Sequence, residues 1–151
     1  MIIGDRCDFY NQIHDFGSEP YLIKIGSDVT ITHGVVLLTH DASTRLFRKQ
    51  IPGMNQKYGN KFGTIQIEDN SFIGVNAIIM PNLRIGPNSI VGAGSVVTKN
   101  VAPNTVVAGN PAKIICSLDE YIQKETTNFL QLDSNDRLSL EIELKKKLWS
   151  K

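Results

Sequence analysis

Ile67-Glu68-Asp69-Asn70-Ser71-Phe72, Ile73-Gly74-Val75-Asn76-Ala77-Ile78, Ile79-Met80-Pro81-Asn82-Leu83-Arg84, Ile85-Gly86-Pro87-Asn88-Ser89-Ile90 and Val91-Gly92-Ala93-Gly94-Ser95-Val96 are consecutive hexads, and Val97 opens another. Each begins with a β-branched aliphatic residue. Glycine follows it at Gly74, Gly86 and Gly92, and four positions on stand Ser71, Ala77, Leu83, Ser89, Ser95 and Val101. The register continues upstream at Ile25, Ile31 and Leu37, and more loosely at Ile3-Gly4 with Cys7. Neither an amphipathic helix of period 3.6 nor a strand of period 2 produces a six-residue repeat. A triangular solenoid does. If each hexad is one short parallel strand and a turn, three hexads close a coil, and the aliphatic residue of each points into a shared interior. Coils then stack about 4.8 Å apart as parallel strands. The glycines suit turns of unusual φ or close backbone approach, and the open ends of such a stack need caps.

Read in coils, residues 3–24 form an irregular first turn, 25–42 a second, 67–84 and 85–102 two regular ones, and 103–115 a partial last one. The segment 43–64 falls out of register as a polar, glycine-containing loop insertion with no evident structure of its own, and loops of this length are usually functional or disordered. After Pro111 the composition changes. Ser117-Leu118-Asp119-Glu120 is a capping-box pattern that opens a helix expected to run to about Leu130. From Ser134 the pattern fits strand or helix, and its Glu and Lys content favours helix. The expected architecture is therefore mainly β, a hexapeptide solenoid over 1–115 interrupted at 43–64, with a helical cap over 116–151.

The chain of 151 residues is one domain's worth of length. Sixteen Lys and Arg against fifteen Asp and Glu leave a formal charge of +1, without the strong field expected of a nucleic-acid binder. No apolar run approaches the roughly 20 residues of a membrane helix. Met1-Ile2-Ile3-Gly4-Asp5 lacks the basic and apolar regions of a signal peptide, so the expectation is a cytoplasmic protein. Cys7 and Cys116 show no ligand or redox spacing.

The run Ile73 to Lys99, with Ala108-Gly109-Asn110-Pro111-Ala112-Lys113 after it, resembles the hexapeptide-repeat acyltransferases, left-handed parallel β-helix enzymes that use acyl-CoA. The second stretch is similar to their (A/G)GxPA(K/R) exit motif. Together these features cover about 90 of the 151 residues. Within the family the pattern is similar to the galactoside, maltose and xenobiotic O-acetyltransferases, and more so to polysaccharide O-acetyltransferases, on the strength of Thr39-His40-Asp41 ahead of the insertion. The resemblance implies acetyl-CoA as donor substrate, no metal, a saccharide or other small acceptor, and a homotrimer with sites between subunits.

Acetyl transfer to a hydroxyl needs a base, and histidine has the suitable pKa. Of His14, His33 and His40, His40 stands where the second coil breaks into the insertion, and the resemblance implies the catalytic base there. Acceptor contacts are expected from the preceding coil, at Asn11, Gln12, His14, Asp15 and Glu19, and from Asp41, which would otherwise orient the site. For the donor, the resemblance implies Phe72 near the thioester and the N–H of Val75 as oxyanion donor. It further implies Gly92, Ala93 and Gly94 as a thin wall for pantetheine, and Thr98, Lys99 and Lys113 at the nucleotide end. Three other readings stand beside this one: N-acetylation of an amino sugar, a non-catalytic β-helix scaffold, and a γ-type carbonic anhydrase using the three histidines as metal ligands.

Overall fold

The computed structural model describes residues 1–11, 16–52, 60–134 and 136–149. The chain divides into two units, Met1–Tyr121 and Ile122–Lys151.

In the first unit the hexads build three parallel sheets that the chain visits in turn. The first sheet holds Ile2–Ile3, Ile23–Ile25, Ile65–Ile67 and Leu83–Ile85. The second holds Asp8–Phe9, Thr30–Ile31, Phe72–Ile73, Ile90–Val91 and Thr105–Ala108, and the third Val36–Leu37, Ile78–Ile79 and Val96–Val97. Ile67 pairs with Ile85, Ile73 with Val91 and Ile79 with Val97, each eighteen positions on, which is the three-hexad circuit. Ile25 pairs with Ile67 across the insertion, and Ile3 with Ile25 at twenty-two positions, the irregular first circuit. The last strand, Lys113–Ser117, turns back antiparallel on Thr105–Ala108.

Both inward positions of the hexad are buried. Ile67, Ile73, Ile79, Ile85, Val91 and Val97 form an aliphatic ladder at 0–1% exposure, and Ser71, Ala77, Leu83, Ser89, Ser95 and Val101 line the interior beside it. Removing each large aliphatic from water contributes roughly 1.5–3 kcal/mol, so the repeat itself supplies the core. The buried serines are satisfied by backbone carbonyls, as Ser95 Oγ donates to Gly92 O at 2.6 Å.

The unusual φ lies elsewhere than at the glycine following the aliphatic residue. It falls three positions after the aliphatic, at Asp28, Gly34, Asn70, Asn76, Asn82, Asn88 and Gly94. Asparagine, aspartate and glycine are the residues that tolerate this left-handed region. Gly74 instead serves close approach, because a Cβ there would lie 2.5 Å from the backbone nitrogen of Ala93. The corner asparagines also link circuits, Asn70 Nδ2 donating to Asn88 Oδ1 at 2.7 Å and Asn88 Nδ2 to Asn104 Oδ1 at 3.0 Å.

The insertion has more structure than its composition suggests. His40–Asp41 pairs antiparallel with Lys61–Phe62, Gly63 N–H donates to Thr39 O, and 3-10 turns occupy Ser43–Leu46 and Arg48–Gln50.

The capping box forms as expected: Glu120 N–H donates to Ser117 Oγ, and Ser117 N–H to Glu120 Oε2. The helix it opens, α1 (Leu118–Thr126), ends earlier than about Leu130. Thr127 Oγ1 and Asn128 Nδ2 turn back onto Lys124 O, so short polar side chains terminate it. Within the second unit the segment after Ser134 is helical, α2 (Arg137–Trp149), started by Asp136, whose carboxylate accepts from Leu138 and Ser139 N–H. There Lys147, with Ser134, holds the Glu143 carboxyl down at about 2.

Candidate active site

Beyond Leu37 the chain leaves the third sheet with its alternation intact. Thr39 points inward at 2% exposure, and the His40 side chain is 34% exposed. The segment ahead of the 3-10 turn Pro20–Leu22 comes up against it. Gly17, at φ +71°, permits this contact, since a Cβ there would sit 3.3 Å from Leu37 O and 3.5 Å from Thr39 Oγ1. Glu19 is thereby brought to His40. One oxygen, Oε2, accepts from Thr39 Oγ1 at 2.6 Å and meets His40 Nδ1 at 2.8 Å. The Glu19 side chain is only 13% exposed. The Thr39 hydroxyl and then His40 hold its carboxyl below the usual range.

An ionised carboxylate facing Nδ1 selects the tautomer with the proton on that nitrogen and leaves Nε2 with a lone pair. The ring is also braced by Phe62, whose centroid lies 5.9 Å away. A base of this kind can take a hydroxyl proton and return it to a leaving group.

Asp41, the other carboxylate considered for orienting the site, turns away. Its oxygens accept from Ser43 N–H at 2.7 Å and Ser43 Oγ at 2.8 Å, and these bonds, with Lys61 nearby, lower its pKa. A cavity of about 240 Å³ next to the hairpin is lined by Asp41, Lys61, Phe62, Met80, Pro81, Asn82 and Thr98. The register explains the grouping: Leu37 pairs with Ile79, and Ile79 with Val97, so the residues just after each strand stack along one edge.

The donor candidates divide into two groups. Thr98 lines the cavity just described, and Lys99 and Lys113 together line a second one of about 310 Å³ with Val107 and Ile114. Phe72 and Val75 are exposed on the other side of the third sheet, where Gly92, Ala93 and Gly94 stack against Val75, Gly94 N–H donating to Val75 O at 2.7 Å. Among the described residues the Val75 N–H meets no acceptor. Gly94 and Thr98 flank the strand Val96–Val97, about 13 Å apart at strand rise. One chain therefore does not bring the two groups together.

Of the acceptor candidates, Asn11 pairs its amide with the backbone of Val35, Nδ2 to the carbonyl at 2.6 Å and Oδ1 from the N–H at 3.2 Å, and it lines a separate cavity with Met1, Ile3, Phe9 and Phe16. Gln12, His14 and Asp15 lie outside the described residues. His33 is exposed on its turn with Nδ1 at the carbonyl of Tyr10. Among the described residues no group of three or more His, Cys, Asp or Glu could hold a metal ion, and no helix is long and apolar enough to cross a membrane. Sequence reasoning placed Glu19 among acceptor contacts and missed it as the partner of His40, because the irregular first circuit hides the alignment. Lys61, Phe62, Met80 and Asn82 were also missed, although the forty-two-position offset that pairs Leu37 with Ile79 carries Leu38–His40 to 80–82.

The model of the bacterial transferase hexapeptide family (six repeats) matches residues 64–99. Protein CapG of Staphylococcus aureus is 48% identical over 127 residues, covering 83% of this chain and 71% of CapG. Among solved structures, a hexapeptide-repeat-containing acetyltransferase from Vibrio cholerae superposes with a TM-score of 0.57 at 31% identity, over 77% of this chain and 61% of its own. A maltose O-acetyltransferase from Clostridium difficile 630 does so with a TM-score of 0.54 at 27% identity, over 78% and 66%. Together with the eighteen-residue circuit and its aliphatic ladder, these likenesses identify the chain as a member of the bacterial hexapeptide-repeat transferases, a family of acetyltransferases.

Proposed function

We propose that this chain transfers an acetyl group from acetyl-CoA to a hydroxyl of a sugar or polysaccharide precursor, with His40 as general base. The observation that carries the reading is the Thr39–Glu19–His40 chain of hydrogen bonds, which leaves Nε2 with its lone pair on a ring that packs against Phe62, one of the residues lining a groove with Met80 and Thr98. Likeness to acetyltransferases, one of them a maltose O-acetyltransferase, supports the donor and the acceptor class.

In this reading the circuits wind as a left-handed parallel β-helix, residues 116–151 act as a cap, and the protein works in the cytoplasm as a homotrimer. The groove then has one wall from each of two subunits. His40, Thr98, Lys99 and Lys113 come from one chain, and Phe72, Val75 and Gly92–Gly94 from its neighbour, which accounts for their separation within a single chain. The acceptor hydroxyl gives its proton to Nε2 as its oxygen forms a bond to the acetyl carbonyl carbon. Negative charge develops on the carbonyl oxygen, and the N–H of Val75 is the preorganised donor for it. As that intermediate collapses, the carbon–sulfur bond breaks and the CoA thiolate takes the proton back from His40. Glu19 holds Nδ1–H throughout and stabilises the imidazolium between the two transfers. Lys99 and Lys113 supply point charges for the donor phosphates.

The test is release of CoA thiol from acetyl-CoA with a panel of sugars and amino sugars, comparing wild type with His40→Ala. Acceptor-dependent release that falls about 100-fold or more in the variant is the expected result for a lost general base. Turnover with amino sugars alone would make the reaction N-acetylation. Absence of acetyl-CoA binding would overturn the transferase reading and leave the scaffold.

A further inference from the structure

The insertion 43–64 contains Arg45, Arg48, Lys49, Lys57 and Lys61 and no Asp or Glu, which makes it +5, whereas the remaining 129 residues carry eleven cations and fifteen anions. The described ends of this segment adjoin the hairpin that carries His40. Lys61 stands on the strand that pairs with His40–Asp41 and lines the cavity there. Arg45 and Lys49 are exposed on the turns that follow Asp41. Four of the eleven cations outside the insertion are paired within the chain, Arg6 with Asp28, Arg84 with Glu68, Lys145 with Glu141 and Lys147 with Glu143. Among the described residues no ion pair is formed by Arg45, Lys49 or Lys61. Asp41, opposite Lys61 in the hairpin and with its pKa lowered in part by that lysine's charge, has both oxygens bonded to Ser43.

We propose that the acceptor is anionic, a glycosyl unit bearing phosphate, diphosphate or carboxylate that Lys61, with Arg45 and Lys49, holds beside His40. The proposal rests on the transferase reading and deepens it. The donor does not account for these cations. The phosphates of CoA are a pantetheine arm away from the thioester, and the lysines suited to them, Lys99 and Lys113, share a different cavity, while Thr98, expected with those lysines, lines the cavity of Lys61 instead. Lys61 pairs with Asp41, the residue after His40, and lines its cavity with Phe62, which packs on the His40 ring. Like charges collected around one mouth also raise the local concentration of an oppositely charged substrate and its rate of arrival, an effect that salt screens over about 10 Å at 0.1 M.

The test compares glucose, glucose 1-phosphate, glucuronate and uridine diphosphate glucose, both as acceptors in the thiol-release assay and as ligands by calorimetry, at low and high salt. At least one anionic probe is expected to bind at least tenfold more tightly than glucose at low salt, with the advantage shrinking as salt rises, and the preferred probe separates phosphate, diphosphate and carboxylate. Lys61→Gln is expected to weaken that probe about tenfold, the range for one charge-assisted hydrogen bond, with Lys61→Arg restoring it and the KM for acetyl-CoA unchanged. Arg45→Gln/Lys49→Gln provides an independent loss of charge on a different segment, with the same expected direction. Acetyl-CoA binding without any salt-sensitive preference for an anionic probe would overturn the proposal while leaving the transferase reading intact. A rise in the KM for acetyl-CoA in Lys61→Gln would assign the cations to the donor and overturn it too. Loss of acetyl-CoA binding in the wild type would be failure of the transferase reading itself.

Discussion

Glu19→Gln removes one negative charge from a site where a single carboxylate oxygen carries two hydrogen bonds, 2.6 Å to Thr39 and 2.8 Å to His40. Unit charges 4 Å apart attract by about 4 kcal/mol at an effective dielectric of 20, which is a ceiling. The imidazole is about a third exposed, so solvent screens part of that attraction. A hydrogen bond to a charged group contributes about 1.5–3 kcal/mol net, and about 2 kcal/mol is the reasonable value here. At 1.36 kcal/mol per decade this is a loss of about 30-fold in kcat. One further result is expected. In the background of His40→Ala the same substitution costs nothing more, since Glu19 acts through His40. The assay is thiol release with the best acceptor of the panel, with circular dichroism to check the fold. A variant within twofold of wild type, or one that loses as much again in the His40→Ala background, would refute the orienting role of Glu19.

Two further expectations concern stability. Ile79→Ala empties a fully buried rung of the ladder and should lower the free energy of unfolding in urea by about 3 kcal/mol, whereas Ile2→Ala, exposed at the sheet edge, should change it by less than about 0.5 kcal/mol; equal effects would contradict the interior assignment. Glu19 has its carboxyl lowered in the folded state, so its contribution is full above the unfolded pKa of about 4.3 and disappears as pH falls through the folded value. The stability gap between wild type and Glu19→Gln should therefore hold from neutral pH down to about 4.3 and close below it. A gap that widens on acidification below that point would show the sign to be wrong.

The hexads were legible because each residue's environment repeats with the sequence. An aliphatic residue every six positions meets its equivalent eighteen on, at hydrogen-bonding distance, so Ile67, Ile85 and their neighbours reveal the register without any long-range information. Asn70, Asn76, Asn82 and Asn88 carried a second signal at the same spacing, the left-handed corner, which a glycine-centred reading passed over. His40 stood out as a histidine at the point where the period breaks. Its partner did not, because Glu19 lies in a circuit of irregular length, and charge alone favoured the adjacent Asp41. The hairpin of His40–Asp41 with Lys61–Phe62 was hidden for a related reason: two-residue strands from the ends of a polar loop have no periodicity to detect.

The amino-acid sequence by itself determined the repeating circuit, the aliphatic core, the family and the histidine at the end of the second coil, since each follows from a local pattern in which one hexad resembles the next. The tertiary structure alone decided which carboxylate faces His40, that Asp41 is bound to Ser43, that Phe62 returns to His40 and Lys61 to Asp41, and that the donor candidates fall on two sides of the third sheet. Those outcomes depend on segments brought together from different circuits by chain paths that break the repeat, and a period carries no information about where it is broken in three dimensions.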